Sequence, residues 1–321
     1  MRHKISVFAP ATIANFGPGF DVFGTALDSI GDIVTAELLN DSRDEIIIKH
    51  VVGNVPRDAK SNTSGISSIS ALNILKEKYN VSTKGVALSI IKQIPQGGLG
   101  GSAASAVAGA VAINELFGRK LNDEEIISAS LSAEKVVSGY HLDNILPCYL
   151  GGFVLIKSYN PMRYIKINPL KKMICVVANP MIMSYLTKDA RKGIPNKDVV
   201  LKVNNKYLNE LITGLKTNNI RKIGDNIRDD VVEPIRAGLI PGFVDVKNSA
   251  LHAGAYGVSI SGSGPSVFAL CDDFGKAKKI GNEMKKAFLR NGAKRVVVII
   301  SQLSRKGARV LGEESRLDNL K

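Results

Sequence analysis

The feature that most constrains the fold is a glycine-rich bend between an apolar run and a helix of small residues. Written out, the bend reads Pro95-Gln96-Gly97-Gly98-Leu99-Gly100-Gly101-Ser102-Ala103-Ala104-Ser105. Glycine lets the backbone approach a ligand without a Cβ in the way. The first N–H groups of the following helix have no intrahelical partner and lie at the positive end of its dipole. The sequence therefore predicts an anion site, suited to phosphate, at the start of this helix.

Two better-known phosphate loops do not fit this bend. A P-loop needs a Lys directly after its last glycine, and no Lys stands between Gly101 and Asn114. The stretch 98–103 satisfies the G-x-G-x-x-[GA] pattern of a dinucleotide site, but that site also needs an acid after the next strand. Here Glu115 still lies within the predicted helix and Asp123 begins another. The bend is therefore predicted to bind phosphate by another design.

Close packing is a second interpretation of the same segment. Residues 102–113 are small on every side, as in a central helix that its neighbours approach closely. A membrane span is disfavoured, because 102–117 is only marginally long, weakly hydrophobic and interrupted by Asn114 and Glu115. Burial of the helix is compatible with a phosphate site but does not explain the glycines before it.

Composition predicts a soluble, cytoplasmic chain of two ordinary domains. The 321 residues are 45% apolar and 22% charged, which is enough apolar sequence for a sizeable core. Cys148, Cys175 and Cys271 are isolated and form no CxxC pair, as expected in a reducing compartment. The stretch 1–4 leads into a short apolar strand and does not resemble a signal peptide.

The net charge of +14 raises the question of nucleic-acid binding. The basic residues are scattered, aromatic residues make up 6% of the chain, and there is no Trp. Lysines at 276–279 and 285–286 fall opposite Ile280, Met284 and Phe288 at helical spacing, which indicates a solvated helix face. A basic surface also favours small anions such as nucleotides, so charge alone leaves both possibilities open.

Hydrophobic periodicity predicts an α+β protein whose first half closes near Asn160-Pro161, giving domains 1–160 and 161–321. Predicted strands are 5–9, 32–39, 45–50, 86–94, 152–159, 173–178, 257–261, 266–271 and 295–301. Predicted helices are 64–79, 102–117, 121–138, 198–216, 220–230, 242–253 and 274–291.

Three further clusters are candidates for chemistry. The first is a turn after the first strand, residues 9–21, in which Asn15 and Asp21 could bind an amine or hydroxyl or else only cap their own backbone. The second joins Glu134, on a helix, to the connection 141–144, which contains His, Asp and Asn. The third is the glycine turn 259–266, which is either a second anion site or a plain hairpin.

Taken in order, these clusters resemble the motifs of the GHMP kinases, named for galactokinase, homoserine kinase, mevalonate kinase and phosphomevalonate kinase. The matching patterns are A-P-A-T-x-A-N-x-G-P-G-F-D from Ala9, P-x-x-G-L-G-x-S-A-A-S from Pro95 and G-x-x-I-S-G-S-G-P-S from Gly257. Within that superfamily the spelling is closest to the homoserine kinases, through H-x-D-N at 141–144 and the stretches 232–241 and 307–310. The resemblance covers nearly the whole chain.

The resemblance implies a ribosomal-protein-S5 domain-2-like N-terminal domain and a ferredoxin-like C-terminal domain, with the active site between them. It implies transfer of the ATP γ-phosphoryl group to the side-chain hydroxyl of L-homoserine, a step of threonine biosynthesis. A homodimer is a further expectation. Two alternatives stay open: a GHMP kinase for shikimate or mevalonate, and a basic module that binds RNA without catalysis, because S5-like folds also occur in RNA-binding proteins.

The resemblance also implies roles for individual residues. The triphosphate would lie on the glycine bend 95–105, the adenine near Asn62 and Thr63, and Mg²⁺ beside Ser102 and Glu134. Residues expected to hold the acceptor are Asn15, Asp21, His141, Asp143, Thr187, Arg191, Arg236 and Gly262. The guanidinium fork of the two arginines suits a carboxylate, and Asn15 and Asp21 suit an α-amine.

Two departures from the family pattern bear on mechanism. Galactokinase and mevalonate kinase have a catalytic Asp where this chain has Asn144, and an amide cannot take a proton. We therefore expect catalysis without a strong protein base, in which Asp143 and Asn144 orient the hydroxyl while the glycine bend and Mg²⁺ stabilise the transition state. The family usually has a Ser at the position of Gly101, so we expect weaker nucleotide binding here.

Overall fold

A computed structural model describes residues 3–39, 45–82, 84–137, 139–182 and 189–312. Two sheets with helices packed against them make up this part of the chain. The strands are β1 Lys4–Ala14, β2 Phe23–Leu38, β3 Ile46–Val52, β4 Val86–Ile91, β5 Phe153–Tyr159, β6 Met162–Ile167, β7 Ile174–Asn179, β8 Gly257–Ile260, β9 Val267–Cys271, β10 Val297–Gln302 and β11 Arg309–Val310. The helices are α1 Thr63–Tyr79, α2 Gly101–Leu116, α3 Asp123–Val137, α4 Leu142–Leu150, α5 Lys197–Lys216, α6 Ile220–Asp225, α7 Val232–Ala237, α8 Phe243–His252 and α9 Phe274–Arg290.

The first sheet has seven strands, in the order β11-β1-β2-β4-β3, with β5 and then β6 continuing from the first half of β2. All pairs are antiparallel except β3 with β4. The long β2 strand pairs with β5 near its start and with β4 near its end. One strand thus joins two halves of the sheet.

The first strand is longer than predicted, because it runs to Ala14 rather than ending at Ala9. Pro10 lies where the register with β2 shifts, and a bulge of this kind accommodates the missing N–H of proline inside a sheet. The residues 10–14, predicted as part of a polar turn, therefore lie in a strand. The strand predicted to begin at Asp32 begins at Phe23.

Helix α2 occupies the centre of the first layer, against α1, α3, β1 and β2. Almost every side chain after its first turn is buried. A Cβ on Gly109 would lie 2.6 Å from the carbonyl oxygen of Ser64, so the contact with α1 depends on this glycine. Ser64 Oγ donates to the carbonyl of Ser105 across the same contact, at 2.9 Å. The interpretation of this helix as a closely approached central helix is confirmed.

The second sheet confirms the expected ferredoxin-like fold. Its strand order is β10-β7-β9-β8, all antiparallel, and its elements follow one another as strand, helices, two strands, helix and strand. Helices α8 and α9 cover one face over an apolar cluster that includes Val246, Ile280, Met284 and Phe288. The α+β class is therefore as predicted.

An aromatic cluster joins the two sheets beneath the cleft. Phe16, directly after β1, stacks on Phe268 of β9 with ring centroids 4.7 Å apart. Phe16 also meets Phe153 edge to face at 4.9 Å, and Phe153 stacks on Phe23 at 5.3 Å. This buried contact holds the turn after β1 firmly against both layers.

Several predicted elements differ from the structure. The stretch 141–144, expected to be a connection, instead opens helix α4, which continues to Leu150 although it contains Pro147. Strand 86–94 ends at Ile91, and helix 220–230 ends at Asp225. Elements β6, α7 and β11 were not predicted.

The predicted division into 1–160 and 161–321 falls in the turn between β5 and β6, and it stays a prediction. Strand β6 continues the first sheet, and β11 near the other end of the chain also pairs into it. Within the described ranges, no helix has both the length and the apolar character needed to cross a membrane.

Candidate active site

A single cavity of about 1030 Å³ lies between the two layers and contains most of the predicted site residues. The lining includes the glycine bend from Pro95 to Ser102 and parts of the turn after β1, of α3, of α4 and of the β8–β9 turn. Predicted residues in the lining are Asn15, Asp21, Asn62, Thr63, Glu134, His141, Asp143, Asn144, Arg191, Arg236 and Gly262, together with Pro95, Gln96, Gly97, Gly98, Leu99, Gly100, Gly101 and Ser102. Segments far apart in sequence therefore share one cleft.

The carbonyl groups of the glycine bend are turned toward protein donors. Asn179 Nδ2 donates to the carbonyl of Gln96 at 2.7 Å, and Ser261 Oγ donates to that of Gly98 at 2.6 Å. Ser266 Oγ donates to the carbonyl of Gly97, and the N–H of Thr12 to that of Leu99 at 3.1 Å. Since the carbonyls are used in this way, the N–H groups at the start of α2 are the groups that the bend offers to a ligand.

Two glycines of the bend are required by space as well as by conformation. Gly98 has a φ of +87°, and a Cβ there would lie 2.2 Å from the carbonyl oxygen of Ser261. Gly100 has a φ of +63°, and its Cβ would lie 1.9 Å from Oγ1 of Thr12. The bend can take this path only because these side chains are absent.

A buried ion pair under the bend was not predicted from the sequence. Asp32, which is fully buried in β2, accepts from Nζ of Lys92, from Oγ of Ser105 at 2.7 Å and from the N–H groups of Gln93 and Ile94. Lys92 Nζ also donates to the carbonyl of Gly101 at 2.7 Å and lines the cleft. The cluster fixes both the approach to the bend and the first turn of α2.

The last three residues predicted to hold the triphosphate lie inside α2. Ala103, Ala104 and Ser105 are buried and their side chains are not in the lining of the cleft. Ser105 uses its hydroxyl in the Asp32 cluster instead. These three side chains therefore belong to the packed interior and not to the surface of the cleft.

The side chain of Asn62 is used by the protein itself. Its Oδ1 caps α1 by accepting from the N–H of Ser64 at 2.9 Å, and its Nδ2 donates to the carbonyl of Pro56 at 2.8 Å. Neighbours that line the same end of the cleft were not predicted: Asn54, Val55, Pro56, Ser61 and Val136. Asn62 thus shapes this end of the cavity through the backbone that it holds.

Glu134 and His141 form a pair in the lining of the cleft. Glu134 Oε2 lies 3.5 Å from Nδ1 of His141, and both side chains are buried. Burial lowers the pKa of His141, but the hydrogen bond to Glu134 and the charges of Asp143 and Glu134 raise it more, so the net pKa lies above 6.5. A protonated His141 therefore brings a positive charge next to the Glu134 carboxylate.

Asp143 is a buried carboxyl group in the cleft with one oxygen left unsatisfied. It is 3% exposed, and its Oδ1 has no hydrogen-bond partner within the described part of the chain. Burial first, and then the charge of Asp21, raise the pKa of Asp143 to about 7. A cation or hydroxyl from a ligand would satisfy this carboxylate.

Asn144 is oriented by Thr12, which the sequence analysis did not identify. Thr12 Oγ1 donates to Oδ1 of Asn144 at 2.7 Å, and Thr12 is fully buried in β1. The part of the amide left for a ligand is its NH₂ group, which can only donate. The arrangement suits an acceptor oxygen and offers no base.

Asp21 and Arg191 are bound to each other. Nη1 and Nη2 of Arg191 lie 3.1 and 2.9 Å from the two carboxylate oxygens of Asp21, and Nη2 lies 2.8 Å from Nε2 of His141. Asn15 holds the backbone of Asp21, since its Oδ1 accepts from the N–H of Asp21 at 3.0 Å. Asn15 Nδ2 also donates to the carbonyl of Gly262 at 3.2 Å.

Arg236, on α7, completes the same end of the cleft. It is 3% exposed, and it donates to the carbonyls of Ala190 at 3.0 Å and Gly262 at 2.6 Å. The ring of Phe20 lies 5.6 Å from Cζ of Arg236 and 5.7 Å from Cζ of Arg191. One buried aromatic ring therefore supports both guanidinium groups.

All but four of the predicted residues line the cavity; the exceptions are Ala103, Ala104 and Ser105, inside α2, and Thr187, which lies outside the described residues. The β8–β9 turn, expected as a possible second anion site, supplies the hydroxyl groups of Ser261 and Ser266 to the glycine bend. A Thr, Lys or Asp inside an apolar strand was the available signal for Thr12, Lys92 and Asp32.

Known proteins similar to this chain belong to the family whose motifs the sequence resembles. The family model "GHMP kinases N terminal domain" matches residues 66–152, and "GHMP kinases C terminal" matches 211–290. The chain is 38% identical over 318 residues to a homoserine kinase of Chlorobium phaeobacteroides, covering 96% of this chain and 99% of that protein. It is 40% identical over 290 residues to a homoserine kinase of Pyrococcus abyssi, covering 89% and 92%.

Solved structures agree with these relatives. A crystal structure of homoserine kinase from Cytophaga hutchinsonii superposes with a TM-score of 0.86 at 39% identity, covering 97% of this chain and 98% of that one. A Leishmania major mevalonate kinase in complex with R-mevalonate superposes with a TM-score of 0.67 at 17% identity, covering 94% and 97%. The second likeness concerns the fold alone.

Proposed function

The chain belongs to the GHMP kinase family, and from this premise we propose that it transfers the γ-phosphoryl group of ATP to the side-chain hydroxyl of L-homoserine. The observation that carries the proposal is one cleft that brings the glycine bend at the start of α2 together with carboxylates and two guanidinium groups. The homoserine kinases to which the chain is similar support the same substrate. The products are O-phospho-L-homoserine and ADP, on the route to threonine.

The acceptor end of the cleft favours an amino acid over the alternatives. Arg191 and Arg236 suit a carboxylate, which shikimate and mevalonate also carry. Asp21 and the buried Asp143 suit an ammonium group, which those two acids lack. L-Homoserine has both charges and a hydroxyl on the side chain. A basic module without catalysis has no need for this buried set of charges.

The nucleotide end is proposed to hold ATP, with Mg²⁺ beside its phosphates. Glu134 supplies a buried carboxylate and Ser102 a hydroxyl at the start of α2, which are the hard oxygen donors that Mg²⁺ takes. Within the described residues no group of three or more His, Cys, Asp or Glu side chains could hold a metal. The proposed ion would be shared between few protein oxygens and the phosphates. When bound, Mg²⁺ would neutralise charge on the phosphates.

The protein's own part in the reaction is positioning. The N–H groups of the bend hold the phosphates, while the Asn144 NH₂ donates to the acceptor hydroxyl oxygen and orients it. The buried Asp143 carboxylate lies next to Asn144 on the first turn of α4 and holds the polar end of the acceptor.

The proposed homodimer and cytoplasmic location stay predictions.

The proposed activity is tested by ADP release in the presence of a panel of acceptors. We expect release to depend on L-homoserine, with shikimate and mevalonate at the level measured without acceptor. Detection of O-phospho-L-homoserine in equal amount to ADP identifies the transfer and excludes simple ATP hydrolysis. ADP release that does not depend on L-homoserine, or a preference for another acid as the acceptor, contradicts the proposal.

Asn144→Ala and Ser102→Ala separate orientation from proton removal. Because Asn144 orients rather than deprotonates the hydroxyl, its loss is expected to lower kcat by less than about a hundredfold, the lower bound for an essential base. Ser102→Ala is expected to raise the Mg²⁺ concentration needed for half-maximal activity by about tenfold, with L-homoserine KM unchanged. A loss of about ten-thousandfold on Asn144→Ala would mean that the residue is part of a proton relay.

Gly101→Ser tests the departure from the usual family sequence. A Cβ at Gly101 would lie 3.2 Å from Nζ of Lys92, so the added hydroxyl lies next to a cation that is already paired. We expect the KM for ATP to fall by about threefold, because a charge-assisted hydrogen bond would draw Lys92 and the first turn of α2 together. Initial rates at varied ATP concentration measure the change, and a higher KM for ATP in the variant would contradict the expectation.

A further inference from the structure

Thr12 is the residue at which the glycine bend, strand β1 and helix α4 meet. Its side chain is fully buried, and its Oγ1 donates to Oδ1 of Asn144 at 2.7 Å. Its backbone N–H donates to the carbonyl of Leu99, in the bend, at 3.1 Å. One residue therefore contacts both the segment proposed to hold the phosphates and the amide proposed to orient the acceptor hydroxyl.

Gly100 brings the bend against this hydrogen bond. A Cβ on Gly100 would lie 1.9 Å from Oγ1 of Thr12 and 2.7 Å from Oδ1 of Asn144. The absence of a side chain at this position lets the backbone of the bend pass directly beside the two polar atoms. The positions of the bend and of the amide therefore depend on each other.

A second close approach fixes the backbone of α4. A Cβ on Gly24 would lie 2.1 Å from the carbonyl oxygen of Asp143, so the first turn of α4 rests on β2 itself. Gly24 pairs with Ala14, two residues beyond Thr12 in β1. Since the backbone is held in this way, the freedom that remains to Asn144 is the rotation of its side chain.

The hydrogen bond from Thr12 limits that rotation. The last torsion of an Asn side chain has a broad, two-fold preference, and a half-turn exchanges the oxygen with the NH₂ group. An amide oxygen aimed at the acceptor could only accept from its hydroxyl, whereas the NH₂ group donates to the hydroxyl oxygen. Because the Thr12 hydroxyl donates to Oδ1, the NH₂ group of Asn144 is the part left for the cleft.

We propose that Thr12 is a positioning residue for phosphoryl transfer: its hydroxyl keeps the Asn144 NH₂ group toward the acceptor, and its N–H holds the glycine bend in register with that amide. This role rests on the proposed function and deepens it, because it assigns the alignment of phosphate and acceptor to a residue outside the lining of the cleft. Alignment raises the rate of the bound complex and leaves the binding of each substrate nearly unchanged.

Thr12→Ala and Thr12→Ser differ only by the hydroxyl group, and both keep the N–H that holds Leu99. Relative to Thr12→Ser, Thr12→Ala is expected to lower kcat by about tenfold, with the KM values for ATP and L-homoserine changed by less than about threefold. In the Asn144→Ala background the same exchange should change kcat by less than about twofold, because the amide that the hydroxyl holds is gone. Initial rates of O-phospho-L-homoserine formation measure the four variants.

Thr25→Ala and Thr25→Ser are the matched control pair. Thr25 is fully buried in β2, the strand next to β1, and its Oγ1 has no hydrogen-bond partner within the described residues. It does not line the cleft. The two Thr25 variants should therefore have the same kcat. A difference as large as the one at position 12 would mean that any buried hydroxyl has this effect, and it would overturn the role of Thr12.

An NMR measurement reports on the amide without any turnover. The NH₂ proton signals of Asn144, identified by their absence in Asn144→Ala, should move in Thr12→Ala and stay near their wild-type positions in Thr12→Ser. Thermal unfolding checks that each variant is folded. Thr12→Cys, whose thiol is a weak donor, takes the place of Thr12→Ala if that variant does not fold.

Equal kcat in Thr12→Ala and Thr12→Ser would overturn the proposed role of Thr12. An undiminished loss in the Asn144→Ala background, or NH₂ signals that Thr12→Ala leaves unmoved, would do the same. Failure of the proposed function looks different, because the wild type would then form no O-phospho-L-homoserine. The NMR signals would still show whether Thr12 holds the amide of Asn144.

Discussion

Gly98→Ala is expected to lower kcat/KM for L-homoserine by more than about a thousandfold and the free energy of unfolding by about 2–4 kcal/mol. The added Cβ would lie 2.2 Å from the carbonyl oxygen of Ser261, so the bend or the β8–β9 turn must shift. That shift also breaks the hydrogen bond from Ser261 Oγ to Gly98. Because the bend presents its N–H groups as a set, moving it by about 1 Å misaligns all of them. Steady-state kinetics and urea unfolding measure the two effects.

Gly118→Ala is the matched control for backbone strain. Gly118 has a φ of +90°, close to the +87° of Gly98, but nothing lies within 4 Å of the position of its Cβ. This variant should therefore lose only the cost of a left-handed Ala, about 1–2 kcal/mol, and keep its activity. If the two variants behaved alike, the contact between the glycine bend and Ser261 would have no part in positioning the bend for phosphate binding.

The sequence was sufficient to predict elements whose signal is local. The glycine bend is followed by a helix one residue earlier than predicted, because glycine and small residues mark that junction directly. Helix 274–291 has a regular apolar stripe, and α9 ends one residue short of the predicted limit. The ferredoxin-like arrangement rested on a resemblance rather than on periodicity.

Helix α4 illustrates why other elements were missed. It has nine residues, one of them Pro147, so neither its length nor its composition is typical of a helix. Burial against β1, β2 and β5 stabilises it instead. Its first turn places Asp143 and Asn144 in the cleft, so a tertiary contact decides the geometry of two site residues. Hydrophobic periodicity in the sequence carries no information about that contact.

Site residues that act through long-range contacts were missed for a similar reason. Thr12 meets Asn144 across 132 residues, and Asn179 meets Gln96 across 83. Each residue is unremarkable within its own strand and gains its role only through packing, Thr12 when α4 packs against β1 and Asn179 when the second sheet meets the glycine bend. The motifs located the ligand-facing residues, while the groups that hold them in position had to be found in the structure.

Asp32→Asn is expected to lower the free energy of unfolding by about 3–5 kcal/mol, since it leaves a buried cation without its partner. Asp32 accepts from Lys92, from Ser105 and from two backbone N–H groups. An amide in its place must turn its NH₂ group toward donors on one side. Lys92 also holds the carbonyl of Gly101, so the first turn of α2 is expected to loosen and the KM for ATP to rise by about tenfold. Urea unfolding and initial-rate kinetics measure both.

Adding Lys92→Met to Asp32→Asn gives a double variant. It shows whether the loss of stability in Asp32→Asn comes from an unpaired charge or from a general loss of packing. If the cost of Asp32→Asn comes from the stranded ammonium group, the double variant should be more stable than Asp32→Asn alone, because the charge is gone and an apolar chain of similar length remains. The exposed pair of Glu283 with Lys286 provides the contrast, and Glu283→Gln should leave stability unchanged. A double variant less stable than the single one would show that Lys92 stabilises the fold independently of Asp32. The KM for ATP should stay high in the double variant, since the contact between Lys92 and Gly101 is still missing when stability returns.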